Sequence, residues 1–233
     1  MMKDISPAGS QVGYVESFHD LIATPYSGQV NALCWKRELA GDFSEIVHKI
    51  ALDGNITVVE EEELRALQLS EQGNLAREIL LNDMLLLEEQ GASPLLNVIS
   101  YYERDVAYPF FPTDVYSWHV DRAPIPTSTF LCTYYGESSD ILPNAQGIQK
   151  ILIPEIRAGL EKLYNGPAEG FEAFLTDNFF DLHYQAVPDA QPINCGIGNL
   201  WRLAVDAPGS KVPPCLHRAP REKPGESRLL LIC

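Results

Sequence analysis

The chain contains five histidines, and two of them stand where they can share a metal ion with a carboxylate. His119 and Asp121 are separated by one residue, and on a β-strand such residues point to the same face. His217 lies far along the chain, after a turn that contains Pro208 and Gly209. The three side chains therefore predict a metal site with two imidazole ligands and one carboxylate ligand.

An arginine completes this pattern. Arg228 stands eleven positions after His217 and opens the apolar segment Arg228–Cys233. The order of His-x-Asp, a distant His and then this Arg resembles the iron- and 2-oxoglutarate-dependent dioxygenase superfamily. The resemblance covers roughly residues 95–233, and the runs 130–136 and 228–231 are also similar to a bacterial branch of that superfamily.

The resemblance implies that His119, Asp121 and His217 bind Fe(II). Two imidazoles and one carboxylate suit Fe(II) better than thiolates would, and on one face of the ion they leave the opposite positions open. The family uses these open positions for 2-oxoglutarate and O2. The expected reaction is oxidation of an unactivated C–H bond of a small molecule, for example an amino acid. Hydroxylation, desaturation and ring closure all remain open, whereas Asp121 disfavours halogenation because related halogenases lack this carboxylate.

The far carboxylate of 2-oxoglutarate needs a fixed cation. Arg228 is the expected partner, because a guanidinium presents a planar fork that binds a carboxylate through two hydrogen bonds. Thr133 or Tyr134, on the neighbouring predicted strand, is expected to donate a further hydrogen bond.

Further residues are candidates for binding substrate. Arg202, Arg218 and Arg221 can recognise a substrate carboxylate. Arg122 is a further candidate, although it would point away from the metal if its strand continues. Trp201 is a candidate wall of the pocket or a core aromatic residue. His183, in the predicted insertion, lies over the substrate or has a structural role.

Two other functions fit the same residues. The first is a metal-dependent cupin enzyme without a keto-acid co-substrate, in which Arg228→Ala would have little effect. The second is a non-catalytic jelly-roll binding module, which would bind its ligand without His119 or His217.

The segments around these residues predict a mainly β fold with flanking helices, a double-stranded β-helix (jelly roll, cupin-like). Short β-branched and aromatic runs predict strands at 29–35, 95–102, 115–120, 127–135, 199–205 and 228–233. Apolar periodicity predicts helices at 43–52, with Asp42 as its cap, and at 74–90, 149–164 and 170–180, while the acidic run 60–63 opens another helix.

These elements predict a single domain, 1–233. Residues 1–94 form a supporting segment of helices and strands, and residues 95–233 form the jelly-roll catalytic core with a helical insertion at about 144–190.

The charge limits the partners. The net charge is −15, which argues against nucleic acid or an anionic membrane surface, because phosphate binding needs clustered cations. No apolar run is long enough to span a bilayer, and no secretory signal is evident. The five cysteines show no CxxC spacing, which argues against a zinc ribbon or a thioredoxin-like motif. Scattered cysteines without a secretory signal indicate reduced thiols. A cytoplasmic protein with a small-molecule substrate is therefore expected.

Overall fold

The chain folds into two β-sheets with six α-helices among the residues that the computed structural model describes, which are 10–221, 223 and 225–233. The first nine residues of the predicted supporting segment lie outside these described residues. The mainly β class with flanking helices is as predicted. None of the described helices has the length and apolar character that crossing a membrane requires.

The strands are short, and most have between two and five residues. They are β1 (Val12–Val15), β2 (Ala32–Trp35), β3 (Ile56–Val58), β4 (Leu95–Ile99), β5 (Trp118–His119), β6 (Ser128–Tyr135), β7 (Asp140–Leu142), β8 (Gly147–Gln149), β9 (His183–Ala186), β10 (Ile193–Asn194), β11 (Leu200–Ala204), β12 (Leu216–Arg218) and β13 (Arg228–Ile232). All the predicted strands are present. Seven others, β1, β3, β7, β8, β9, β10 and β12, were not predicted as strands.

Three of the six described α-helices begin at a residue whose side chain accepts from a free backbone amide. The six helices are α1 (Phe18–Ala23), α2 (Phe43–Lys49), α3 (Glu61–Ala66), α4 (Glu71–Glu88), α5 (Pro154–Leu163) and α6 (Phe171–Asp177). The side chain of Asp42 accepts a hydrogen bond from the amide of Glu45, which confirms the predicted cap of α2. Ser70 caps α4 in the same way, so this helix begins three residues earlier than predicted.

The first sheet has seven strands in the order β1-β2-β11-β6-β13-β4-β3. Only β1 and β2 run parallel among its described pairs. Its outer face carries the largest apolar cluster of the described residues, in which Ile46 of α2 and Leu80 of α4 pack against Leu229 and Leu231 of β13. Strands and helices from the first 94 residues thus extend this sheet and cover its outer face.

The second sheet has six strands in the order β10-β7-β12-β5-β9-β8. Strands β8 and β9 belong to the predicted insertion, which also contains α5, α6 and four short 3-10 helices (Asn144–Gln146, Lys150–Leu152, Ala168–Gly170 and Phe180–Leu182). The insertion is therefore not helical throughout, because its two strands lengthen the sheet beside β5.

A second apolar cluster lies between the two sheets. It contains Leu131 and Trp201 of the first sheet, Ile141 of the second sheet, and Cys215, which precedes β12. Alternate residues of each strand point into this space, which is why Leu131 is inside whereas Phe130 and Cys132 face the helices. All five cysteines are free thiols.

Candidate metal centre

Three predicted ligands meet on the second sheet. His119 of β5 and His217 of β12 are paired across the antiparallel ladder, and Asp121 follows β5 by two residues. Their ligand atoms all lie within 4.8 Å of one another. The imidazole centroids are 4.5 Å apart, and Nε2 of His217 is 3.6 Å from Oδ2 of Asp121. The structure thus brings together residues that are far apart in sequence in a cluster that can hold a metal ion.

Backbone carbonyls orient both imidazole rings. Nδ1 of His119 is 2.8 Å from the carbonyl oxygen of Ser117, and Nδ1 of His217 is 3.2 Å from that of Cys215. A ring whose Nδ1–H donates to a carbonyl has its Nε2 lone pair free for a metal. Each histidine therefore obtains its orientation from the residue two positions before it, which is a local consequence of extended backbone.

The protonation states also favour metal binding. Burial lowers the pKa of His119, and the nearby His217 lowers it further, so the ring is neutral at physiological pH. Burial alone would raise the pKa of Asp121, but His217 and a hydrogen bond from the Thr129 hydroxyl outweigh it, and the pKa is lowered. A neutral imidazole and an ionised carboxylate are the forms that coordinate a cation.

Arg228 lies on the sheet opposite the three ligands. It is 3% exposed, and its strand places it on the same inner face as Leu230. Nη2 donates hydrogen bonds of 3.2 Å to the hydroxyl oxygens of Thr133 and Ser139. A buried guanidinium held by hydroxyl groups in this space has the chemistry to bind a carboxylate. The roles of Arg228 and Thr133 toward a ligand stay predictions, and Ser139 was not predicted from the sequence.

Tyr134 was wrongly placed in the predicted site. It follows Thr133 directly, so it points to the opposite face of β6 and packs among the helices of the first sheet. Its hydroxyl donates to Oδ2 of Asp83 on α4 at 2.6 Å, and Arg37 pairs with the same carboxylate at 2.7 Å. Tyr134 therefore ties the sheet to α4 and is not placed to contact a ligand of Arg228.

The predicted substrate residues have different positions. Arg218 lies on the outer face of β12, where its guanidinium covers the ring of Trp118 at 4.1 Å and pairs with Asp140. It follows His217 directly and so points away from the metal ligands, and its role toward a substrate stays a prediction.

Arg122 and Trp201 are also held by the protein. Arg122 forms ion pairs with Asp181 and Asp206, so its guanidinium is occupied by two carboxylates and its predicted role is not supported. Trp201 is 2% exposed between the sheets and donates from Nε1 to the carbonyl of Cys195 at 2.8 Å. Because it faces the same space as Arg228, its role as a pocket wall stays a prediction.

The insertion brings two further polar side chains to the metal centre. His183 of β9 is paired with His119, and their ring centroids are 6.0 Å apart. Burial lowers its pKa to about 3, and Nδ1 has no hydrogen-bond partner among the described residues. Lys150 is buried nearby and donates to the hydroxyl of Ser117 at 2.7 Å. The sequence left two roles open for His183, one over the substrate and one structural. Lys150 was not predicted as a site residue, because in the sequence it is an ordinary polar residue before a helix.

Comparisons with known proteins leave the family open. A scan against protein-family models, a search of curated proteins and a search of solved structures each found no match.

Proposed function

We propose that the chain is a non-haem oxygenase that depends on Fe(II) and 2-oxoglutarate and is built on a jelly roll. The single observation that carries this proposal is the cluster of His119, Asp121 and His217 on one sheet, with the buried Arg228 facing inward from the other sheet.

The strand pairing supports the jelly roll. Eight strands, taken in chain order, are β4, β5, β6, β7, β10, β11, β12 and β13. The first pairs with the eighth, the second with the seventh, the third with the sixth and the fourth with the fifth. This nested pairing is that of one long hairpin wound into two facing sheets, which is the jelly-roll arrangement. The insertion then occupies the connection between the fourth and fifth strands.

The donor set fits a ferrous ion. Two imidazole nitrogens and one carboxylate oxygen form the set typical of non-haem Fe(II) oxygenases, which leaves open positions for other ligands. The 3.6 Å separation of Nε2 of His217 and Oδ2 of Asp121 is short enough for one ion to bind both atoms. With Fe(II), 2-oxoglutarate and O2 bound, such a centre oxidises a C–H bond of the substrate and releases succinate and CO2.

The protein's own groups would prepare this site. The carbonyls of Ser117 and Cys215 hold the imidazoles in the tautomer that presents Nε2. Thr129 donates to Asp121 and keeps that carboxylate ionised. Arg228, fixed by Thr133 and Ser139, offers a cation to the far carboxylate of the keto acid. The small-molecule substrate and the oxidoreductase activity belong to the same proposal.

Anaerobic titration tests the proposal. The metal-free protein is titrated with Fe(II) and then with 2-oxoglutarate, and the weak visible charge-transfer band of the iron–keto-acid chelate is followed. We expect the band in the wild type and its loss in His217→Ala. His19→Ala is the matched control, because this histidine is exposed on α1 and should leave the band unchanged.

Each negative result favours a different function. Iron that binds without a keto-acid band would favour a metal-dependent cupin enzyme that uses no keto acid. No iron binding at all, with a folded protein, would favour a non-catalytic binding module. Either result would refute the oxygenase proposal.

A further inference from the structure

A cavity of about 310 Å³ lies at the ends of β5 and β9, on the side of the second sheet that Trp118 and Tyr184 face. Ser117 is shared by the cavity and the metal centre. It lines the cavity, where its hydroxyl accepts from Lys150, and its carbonyl orients His119. The cavity wall combines cationic and aromatic side chains, namely Arg104, Lys150, Arg221, Tyr116, Trp118 and Tyr184.

Lys150 is the most buried of these cations, at 9% exposure. Its Nζ donates to the carbonyl of Pro112 at 3.1 Å and to the hydroxyl of Ser117 at 2.7 Å, and it lies 5.0 Å from the centroid of the Phe111 ring. An ammonium group has three N–H donors, so one donor remains after these two hydrogen bonds. No carboxylate of the described residues lies within 4.0 Å of Nζ.

A buried ammonium without a counterion is costly, and proteins ordinarily pair such a charge. Burial lowers the pKa of Lys150 to about 8, with some compensation from Asp114, so the group still carries its proton at pH 7. The positive charge therefore persists in the wall of the cavity under physiological conditions.

The other two cations of the wall likewise have no acidic partner among the described residues. The guanidinium of Arg104 lies 3.3 Å from the centroid of the Tyr116 ring, and neither Arg104 nor Arg221 forms an ion pair with a described residue. The one carboxylate in the wall is Asp114, whose oxygens accept from the amides of Tyr116 and Asp105.

This grouping stands out because the chain has a net charge of −15. Several arginines elsewhere in the described chain pair with acids, as in Arg37–Asp83, Arg157–Glu172 and Arg218–Asp140. Three cations facing one carboxylate make the cavity locally positive inside an acidic protein.

We propose that this cavity binds the oxyanionic group, a carboxylate or a phosphate, of a small-molecule ligand. Lys150 supplies a point charge and its remaining N–H donor, and Arg104 and Arg221 supply guanidinium donors at the entrance. The faces of the aromatic rings accept an apolar body attached to the anion.

Calorimetric titration of the metal-free protein tests this binding directly. The probes are benzoate, phenyl phosphate and the neutral amide benzamide. We expect one or both anions to bind and benzamide not to bind. Lys150→Met, which keeps the apolar stem and removes the charge, should weaken anion binding by about tenfold to a hundredfold, the usual effect of losing one hydrogen bond to a charged group.

Three variants serve as controls or second tests. Lys162→Met changes an exposed lysine of α5 and should bind as the wild type does. Arg228→Met should also bind as the wild type does, which would exclude the keto-acid site as the place where the probe binds. If Lys150→Met does not fold, Arg104→Ala carries the test, because Arg104 is exposed and its loss leaves the core unchanged.

The outcomes separate this inference from the proposed function. If neither anion binds, or if binding is the same in Lys150→Met and Arg104→Ala as in the wild type, the anion site is refuted even when the iron–keto-acid band forms. If the anions bind through Lys150 but no band forms, the anion site is supported and the proposed oxygenase function is refuted. The ratio of benzoate to phenyl phosphate affinity then distinguishes a carboxylate from a phosphate.

Discussion

Replacing Arg228 by methionine should separate the binding of 2-oxoglutarate from the binding of iron. Arg228 is 3% exposed and donates to Thr133 and Ser139, so its guanidinium is fixed before any ligand arrives. Binding a carboxylate through two charge-assisted hydrogen bonds contributes about 1.5–3 kcal/mol for each bond. Loss of both contacts should therefore weaken 2-oxoglutarate binding by roughly a hundredfold to ten-thousandfold.

The assay is the anaerobic titration with Fe(II) held at saturation and 2-oxoglutarate varied. Iron affinity, measured separately, should be unchanged, because the three metal ligands lie on the other sheet. Arg218→Met is the matched control, since this arginine lies over Trp118 on the outer face of β12. The keto-acid titration of this control should follow that of the wild type.

One result would refute the reasoning about Arg228. If Arg228→Met reached half-saturation at the wild-type concentration of 2-oxoglutarate, the buried arginine would have no part in binding it. Equal weakening by Arg218→Met would likewise show that the effect is not specific to the inner face.

Three further predictions concern the residues that support the site. Asp83→Asn removes the charge that pairs with the buried Arg37, and we expect urea denaturation to show a loss of about 3–5 kcal/mol in the free energy of unfolding. Thr129→Val removes the donor to Asp121, and iron titration should show an affinity about tenfold to a hundredfold lower. Burial lowers the pKa of Lys150 to about 8, below its ordinary value of 10.5. Between these two pH values Lys150 is protonated in the unfolded chain but neutral in the folded chain, so the free energy of unfolding rises with pH over this range. Lys150→Met should therefore be about 1–2 kcal/mol more stable than the wild type at pH 7, and urea denaturation should show the difference shrinking as the pH rises above 8.

Strand alternation explains which site residues could be predicted from the sequence. The alternation rule correctly predicted that the side chains of His119 and Asp121 lie together, because the two residues are two positions apart in one short extended segment. The same rule explains why Tyr134 and Arg218 lie apart from the metal ligands, since each directly follows an inward-facing residue, Thr133 or His217, and so faces outward.

Other features depend on contacts between distant segments. A strand of two or three residues, such as β10 or β7, carries too little pattern to be recognised before its partner is known. The burial of Lys150 arises from packing against Phe111 and Ser117, which are more than thirty residues away in sequence. Asp83 likewise reads as one more polar position of a helix until Arg37 and Tyr134 surround it.

The insertion contributes side chains beside the metal centre and to the proposed anion cavity. The residues proposed to hold iron and 2-oxoglutarate, His119, Asp121, His217 and Arg228, all lie outside it, on or beside strands of the eight-strand core. The insertion pairs β9 with β5, and it thereby sets His183 beside His119 and brings Lys150 against Ser117. Changes in this segment can therefore alter the walls that face a substrate while the metal ligands keep their positions. If this division holds, substitutions within 144–186 should change which anion binds, whereas the iron affinity and the keto-acid band should remain those of the wild type.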